Sequence, residues 1–326
     1  MKRTIVAVLL LGASMAASAA QTLLNVSYDA TRELYEQINP LFEAWWKSQT
    51  GQTVTIQMSH GGSAAQAQAV IAGLPADVVT LGVASDIDAL HAQGNLLPAN
   101  WQSLLPDQSA PYTSTVVFLV RAGNPKNIRD WPDLIRPGVS VITPNPKTSA
   151  AARWSFLAAY AFALDQAHGD SGRARAFMKS LYQHVPILPT ASRAATTAFT
   201  DQQLGDVLLS WEDEAYLAIA AGGPGRYQII VPSVSMLALP PVAVVQANAR
   251  RHHTEKLAEA YLRFLYTPQA QQVIAQNHYR PVDAQVLARY ANQFPRVKRV
   301  DISAFGGWEK AQREFFGDGG LFDQLY

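Results

Sequence analysis

The sequence predicts an α/β protein of two lobes, each a mostly parallel sheet flanked by helices, with a ligand cleft between them. Three observations carry this reading. Short apolar, β-branched runs alternate along the chain with longer segments of helical periodicity, the pattern of strands connected through helices. About 300 residues remain once a leader is set aside, more than a single core commonly serves. Several strand-to-helix junctions carry cap-forming residues, which brings helix N-termini to the strand ends where open α/β sheets place ligands.

The chain opens MKRTIVAVLLLGASMAASAAQ. Lys2 and Arg3 precede an apolar run, and small residues close it at Ala17-Ser18-Ala19-Ala20, the layout of a cleaved secretory signal peptide over residues 1–20. Ile5 to Leu11 is too short to span a bilayer, so a membrane anchor is disfavoured. Loss of Lys2 and Arg3 turns 26 basic and 25 acidic residues into 24 against 25, and no basic patch speaks for nucleic acid. Cysteine is absent, which excludes disulfides and thiolate metal sites and leaves packed cores to hold the fold.

In order, Leu23 to Ser27 reads as a buried strand, with Asp29 capping a helix from Ala30 to Trp46 that Pro40 should kink or break. Val54, Ile56 and Met58 alternate as a strand. His60-Gly61-Gly62-Ser63 then punctuates, and a helix follows from Ala64 with Ser63 as its cap. Ala76 to Leu81 is a strand, and Thr115 to Val120 is a long apolar one. Asp130 to Leu134 makes one helical turn. The strand Val139 to Thr143 leads through Pro144-Asn145-Pro146-Lys147-Thr148-Ser149 into a helix from Ala150 to Leu164. A helix near Gly172 to Gln183 precedes a further strand at Pro186-Ile187-Leu188, and the segment from Pro189 opens the next helix. Gly205 to Ser210 is a strand that delivers Trp211 at its end, with Glu212-Asp213-Glu214 complementing a helix N-terminus. Tyr227 to Val231 and Leu239 to Val245 are strands, Thr254 to Tyr266 is an amphipathic helix, and Thr267-Pro268 starts another. The aromatic tail packs across a lobe.

The two long apolar strands, near Val116 to Val120 and Leu239 to Val245, are the expected crossings between lobes. They divide the mature chain into 21–115 plus 240–326 as lobe 1 and 116–239 as lobe 2. A cleft ringed by strand ends and bare helix N-termini suits a small anion. Lys147 reads equally as a charge for that anion or as a solvated surface lysine. Trp211 reads equally as packing or as a presented indole N–H, a donor with no acceptor character.

The segments SYDATRELYEQINPLF, SHGGSAAQA, ADVVTL, PYTSTVVFLVRAGNPKNIRDW, VSVITPNPKTSAAARW, GDVLLSWEDEA and LYTPQAQQVIAQNHYRP resemble the periplasmic sulfate-binding proteins, the solute receptors of sulfate/thiosulfate ABC importers. The resemblance runs from Leu24 to near the C-terminus. It implies a type II periplasmic-binding-protein fold that buries sulfate between its lobes, through neutral donors and without a salt bridge. It also implies a periplasmic, monomeric receptor that needs no cofactor and delivers its ion to a membrane permease. Carried over by motif, the donors are the N–H of Asp29, the hydroxyl of Ser63, the N–H groups of Ser149, Ala150 and Ala151, the N–H of Ser192, and the indole of Trp211. The family usually has Gly-Gly where Ala150-Ala151 stands and Gly-Ala-Arg at Ala191-Ser192-Arg193. A backbone donor survives a change of side chain, but an alanine forced to positive φ would strain the loop.

Rival readings are weaker. Gly61-Gly62-Ser63-Ala64-Ala65 falls one glycine short of the G-x-S-x-G nucleophile elbow, and a serine hydrolase at Ser63 would also need a histidine such as His252, His253 or His278. The 7 histidines show no metal-ligand spacing. Thiosulfate and molybdate are the alternative oxyanions. Thiosulfate-preferring relatives tend to lack a tryptophan at the Trp211 position, which favours sulfate.

Overall fold

The computed structural model describes residues 21–326, so the predicted signal peptide lies outside the described residues. Two four-stranded sheets organise the chain. The first holds β1 (Gln21–Tyr28), β2 (Val54–Gly61) and β3 (Val78–Thr80). The second holds β4 (Val116–Arg121), β5 (Val141–Ile142), β6 (Val207–Trp211) and β7 (Tyr227–Ile230). The chain then returns as β8 (Val242–Val244), which joins the first sheet to give the order β2-β1-β3-β8, against β5-β6-β4-β7 in the second. The helices that position the site are α1 (Arg32–Thr50), α2 (Ser63–Ile71), α3 (Ala84–Ala92), α4 (Ala150–Gln166), α5 (Ser192–Thr200) and α6 (Glu212–Gly222).

In the first sheet β1 lies parallel to β2 and β3, while β8 runs antiparallel to β3. The second sheet corrects the expectation of a mostly parallel arrangement. Only β5 and β6 are parallel there, and β4 runs against both β6 and β7. The reason is topological and concerns the two apolar strands β4 and β8, the second of which is shortened from the expected Leu239–Val245 to Val242–Val244. Each is the first strand the chain lays down after passing from one sheet to the other, so neither follows the within-sheet helical crossover that makes successive strands parallel. β6, α6 and β7 form such a crossover, with β4 wedged between its strands.

Pro40 neither breaks nor ends α1, which runs through it. Leu34, Tyr35 and Ile38 before the proline and Phe42 after it are buried, so one packed face carries the helix across the missing N–H. Pro186-Ile187-Leu188 forms no strand and pairs in no sheet. Pro186 and Pro189 cannot donate to a ladder, and the flanks are tied instead by Val141 N–H to His184 O at 2.9 Å and Asn145 N–H to Pro189 O at 2.8 Å.

Helix α4 is buried all round from Ala150 to Ala163, the mark of a helix enclosed on every side. One of its covers is the C-terminal tail. Lys298–Val300 pairs with Val234–Met236, Trp308 meets Trp154 edge-on at 4.7 Å, and Phe316 meets Phe156 at 5.3 Å. Residues 298–326 thus pack on α4, next to the second sheet rather than the first. Among the described residues, no helix is long and apolar enough to cross a membrane.

Candidate oxyanion site

Five chain junctions converge where β1, β2, β5 and β6 end and where α2, α4, α5 and α6 begin. Asp29 follows β1, and its carboxylate accepts the Arg193 N–H at 2.7 Å, which ties the β1 end to the first turn of α5. The Ala64 N–H at the start of α2 donates to Thr148 O at 3.3 Å, beside Ser149. The Thr148 hydroxyl in turn donates to Thr190 O at 2.6 Å. Gly62 is required by this crossing, since a Cβ there would stand 2.8 Å from Thr148 O and 3.1 Å from Thr190 O. Tyr28 meets the Trp211 ring edge-on at 5.5 Å. Ala151, Ser192 and Trp211 line one small cavity together with Pro144. All seven predicted residues therefore fall in one neighbourhood, and each is buried. A larger open groove beside Trp101, Leu104 and Arg263 lies away from them.

Several predicted roles change. Asp29 does not cap the helix behind it: Tyr28 is the N-cap of the short 3-10 turn that Asp29 opens. Ser63 was expected to offer its hydroxyl, but that group donates to Asp86 at 2.6 Å and accepts the Gly82 N–H at 3.0 Å. Ser149 was expected to offer its N–H, which instead closes the loop onto Asn145 O at 2.8 Å. The Ser149 side chain makes no capping bond, so its hydroxyl is the group left to serve. Ser63 opens α2, where the N–H has no acceptor within the helix. The same holds for Ala150 and Ala151 opening α4 and for Ser192 opening α5. Ala150 and Ala151 are helical and not among the positive-φ residues, so the exchange of glycine for alanine strains nothing here. The indole Nε1 of Trp211 is buried and has no hydrogen-bond partner.

The cations near this point are already committed. Arg153 of α4 pairs with Asp86 of α3 at 2.6 Å, both buried. Arg193 bridges Glu33 of α1 and Glu214 of α6, each at 2.8 Å. Lys147 is occupied by Asp323, also at 2.8 Å. Positive potential at the junction is therefore left to helix N-termini. Burial pushes the Asp29 carboxyl up to about 6, with the Arg193 N–H opposing it. Burial also acts on Glu33, yet the Arg193 guanidinium holds its carboxyl below the ordinary value. Asp213, wholly buried between Glu212 and Glu214, is pushed well above the carboxylate range by that burial and by the Glu214 charge.

Sequence reading missed Glu33, Asp86, Arg153 and the bridging side chain of Arg193. Arg153 alone carried a signal: one arginine inside an otherwise apolar helix needs a buried partner. Of the rival chemistries, the serine elbow finds no histidine here, because His60 Nδ1 faces Tyr28 O at 3.3 Å and Ser63 faces Asp86. No group of three or more metal-ligating side chains occurs among the described residues.

Comparison with known proteins places this geometry. The family model for bacterial extracellular solute-binding proteins matches residues 23–280. A sulfate-binding protein of Escherichia coli strain K12 is 53% identical over 304 residues, 93% of this chain and 92% of that one. A thiosulfate-binding protein of Pseudomonas aeruginosa is 47% identical over 312 residues, 95% of this chain and 94% of its own. Among solved structures, the sulfate-binding protein SubI from Mycobacterium tuberculosis H37Rv superposes with a TM-score of 0.83 at 37% identity, covering 91% of this chain and 99% of that one. The ferric binding protein from Campylobacter jejuni, 13% identical with a TM-score of 0.61 and covering 93% of this chain and 99% of its own, shares the fold alone. The chain thus belongs to the bacterial extracellular solute-binding proteins, in the group formed with the sulfate- and thiosulfate-binding members.

Proposed function

We propose that this protein is an exported periplasmic receptor that closes on sulfate and delivers it to the membrane-embedded permease of an ABC importer. Seven donors would hold the ion: the N–H groups of Asp29, Ser63, Ala150, Ala151 and Ser192, the Ser149 hydroxyl and the Trp211 indole. The observation that carries the reading is the Trp211 N–H, a pure donor that is fully buried, unpartnered and set among helix starts whose N–H groups lack acceptors. An orphaned buried donor costs about 1–3 kcal/mol, which an oxyanion oxygen would recover.

An array of donors selects by protonation. Sulfate at neutral pH offers acceptors only, whereas hydrogen phosphate brings a proton that such a site leaves unpaired. The Asp29 carboxylate, an acceptor beside these donors, is engaged by the Arg193 N–H. We assign residues 21–115 and the chain after 240 to one lobe and 116–239 to the other, with 298–326 packed back onto the second. On that division the ion pairs Arg153–Asp86, Arg193–Glu33 and Arg280–Glu212 all join one lobe to the other. The receptor acts as a monomer, and its loaded form is recognised because closure changes the surface it shows.

Thiosulfate is the second reading, favoured by the equally full-length match to a thiosulfate-binding relative. The test is a tryptophan-fluorescence titration of the dialysed mature protein with sulfate and with thiosulfate, each repeated against excess phosphate at pH 6 and pH 8. Saturation by sulfate, unmoved by phosphate, is the expected result. Phosphate binding of comparable strength would mean that an acceptor faces the ligand. No response to any oxyanion would end the receptor reading.

A further inference from the structure

The C-terminal tail reaches the loop that carries Ser149, and it does so through Lys147. The ammonium of Lys147 donates to Phe316 O at 3.0 Å, Gly317 O at 3.1 Å and Asp323 Oδ2 at 2.8 Å. Its three N–H bonds are thereby all used. The receiving side is a built seat rather than a chance contact. Gln312–Phe316 is a π-helical turn, and it ends with Gly317 N–H closing onto Gln312 O at 2.6 Å, so its last carbonyls point outward at the charge. The chain then doubles back at Gly320, where a Cβ would stand 2.9 Å from Gly317 O and 3.0 Å from Phe315 O. That turn returns Asp323 to the same ammonium, and the Gly319 N–H fixes the carboxylate at 2.8 Å. Phe316 and Phe322, buried against Phe156, anchor the seat to α4.

On its other sides the loop is held by the segment before α5, by α2 and by α4 itself. Asn145 N–H bonds Pro189 O and the Thr148 hydroxyl bonds Thr190 O, both in the stretch before α5. From α2 the Ala64 N–H reaches Thr148 O at 3.3 Å, from α4 the Arg153 Nε reaches Pro146 O at 2.9 Å, and within the loop Lys147 N–H bonds Asn145 Oδ1 at 2.9 Å and Ser149 N–H bonds Asn145 O at 2.8 Å. Lys147 is thus the side chain through which the C-terminal tail supports the loop, two residues before the Ser149 hydroxyl and three before the first free N–H of α4.

We propose that Lys147 is a positioning residue for oxyanion binding: the C-terminal tail grips it and holds the Ser149-Ala150-Ala151 donors in place. Resting on the receptor reading, this assigns the tail a part in ligand recognition without adding a charge to the ligand. It also explains why a lysine so near an anion site leaves that site neutral. The Asp323 carboxyl is correspondingly held below its ordinary value by Lys147.

The test compares the full mature chain with Lys147→Met, Asp323→Asn and the double variant, using Lys310→Met as control because Lys310 pairs only with exposed Glu314 in the same tail. Sulfate affinity and dissociation rate are measured by calorimetry and stopped flow, melting without ligand by calorimetry, and backbone hydrogen exchange over residues 145–151 by mass spectrometry. Lys147→Met should weaken sulfate about tenfold, mostly through faster release, and speed exchange in that loop even without ligand. Asp323→Asn should weaken it about threefold, because the two carbonyls remain, and the double variant should be no weaker than Lys147→Met alone. Lys310→Met should change nothing. Unaltered affinity and unaltered loop exchange in Lys147→Met, whatever its melting temperature, would reduce the tail to a stability staple and overturn the proposal. Should Lys147→Met fail to fold, Asp323→Asn decides by the same two readouts. A wild-type protein that takes up no oxyanion is the separate failure of the receptor reading, and the ligand-free exchange still judges the grip on the loop.

Discussion

The two faces that meet at the site differ in charge. The face built on the first sheet brings carboxylates, Asp29, Glu33 and Asp86, whereas the facing elements α4 and α5 bring Arg153 and Arg193. Each guanidinium finds a carboxylate across the junction, and what neither face neutralises is the set of partial charges at the helix starts. On the proposed reading, a buried dianion is thereby met without a salt bridge. Full charges are spent on joining the faces, and dipoles are left for the ligand.

Arg153→Met leaves Asp86 buried without its partner, and urea unfolding should show a loss of about 3–5 kcal/mol. A loss below about 1 kcal/mol would mean the pair is not enclosed as described. Trp211→Phe keeps the ring and removes the donor, so calorimetry should show sulfate affinity down by about 10- to 150-fold, the value of one hydrogen bond to a charged acceptor. Its fold stability should hold or rise, because an orphaned N–H is deleted.

The raised Asp29 carboxyl gives a smaller and pH-dependent effect. Its folded value of about 6 exceeds the ordinary 3.8, so the fold favours the protonated acid. The stability this group contributes is complete below pH 4 and is lost as pH rises through 6. Between pH 8 and pH 4.5 wild type should gain about 2 kcal/mol over Asp29→Asn in ligand-free urea titrations. A difference that stays flat with pH would show that Asp29 is ionised throughout. Smallest is Glu33→Gln, at a pair that is partly exposed on both sides. Release of sulfate should quicken by no more than about threefold, with less than about 1 kcal/mol lost from the fold.

Much of this molecule was legible along the chain. β-branched runs and caps located the strands and most helices, and the apolar runs at Val116 and Val242 are strands of the second and first sheets. What misled was local logic applied to residues with distant partners. Pro40 reads as a helix break, yet Leu34, Ile38 and Phe42 hold α1 across it. Pro186-Ile187-Leu188 reads as a strand, but its prolines deny it a ladder. Asp29 and Ser63 read as caps of the helices behind them, because a short polar side chain at a strand end usually bonds locally. Here each is drawn away, Asp29 to α5 and Ser63 to Asp86. The seven residues named by the motif resemblance lie in one neighbourhood, with the Ser63 hydroxyl engaged by Asp86 and the Ser149 N–H by Asn145 O. An atom's availability depends on what else touches it.

The α/β pattern, the apolar strands β4 and β8, and the residues set at strand ends beside bare helix starts were readable along the chain, because these follow from side-chain periodicity and backbone valence within a few residues. Only the tertiary structure decided the direction of β4 against its neighbours, the partners of Arg153, Arg193 and Lys147, and which polar atom of each serine stays free. Those outcomes turn on groups far apart in the chain, such as Lys147 and Asp323, whose meeting no local pattern encodes.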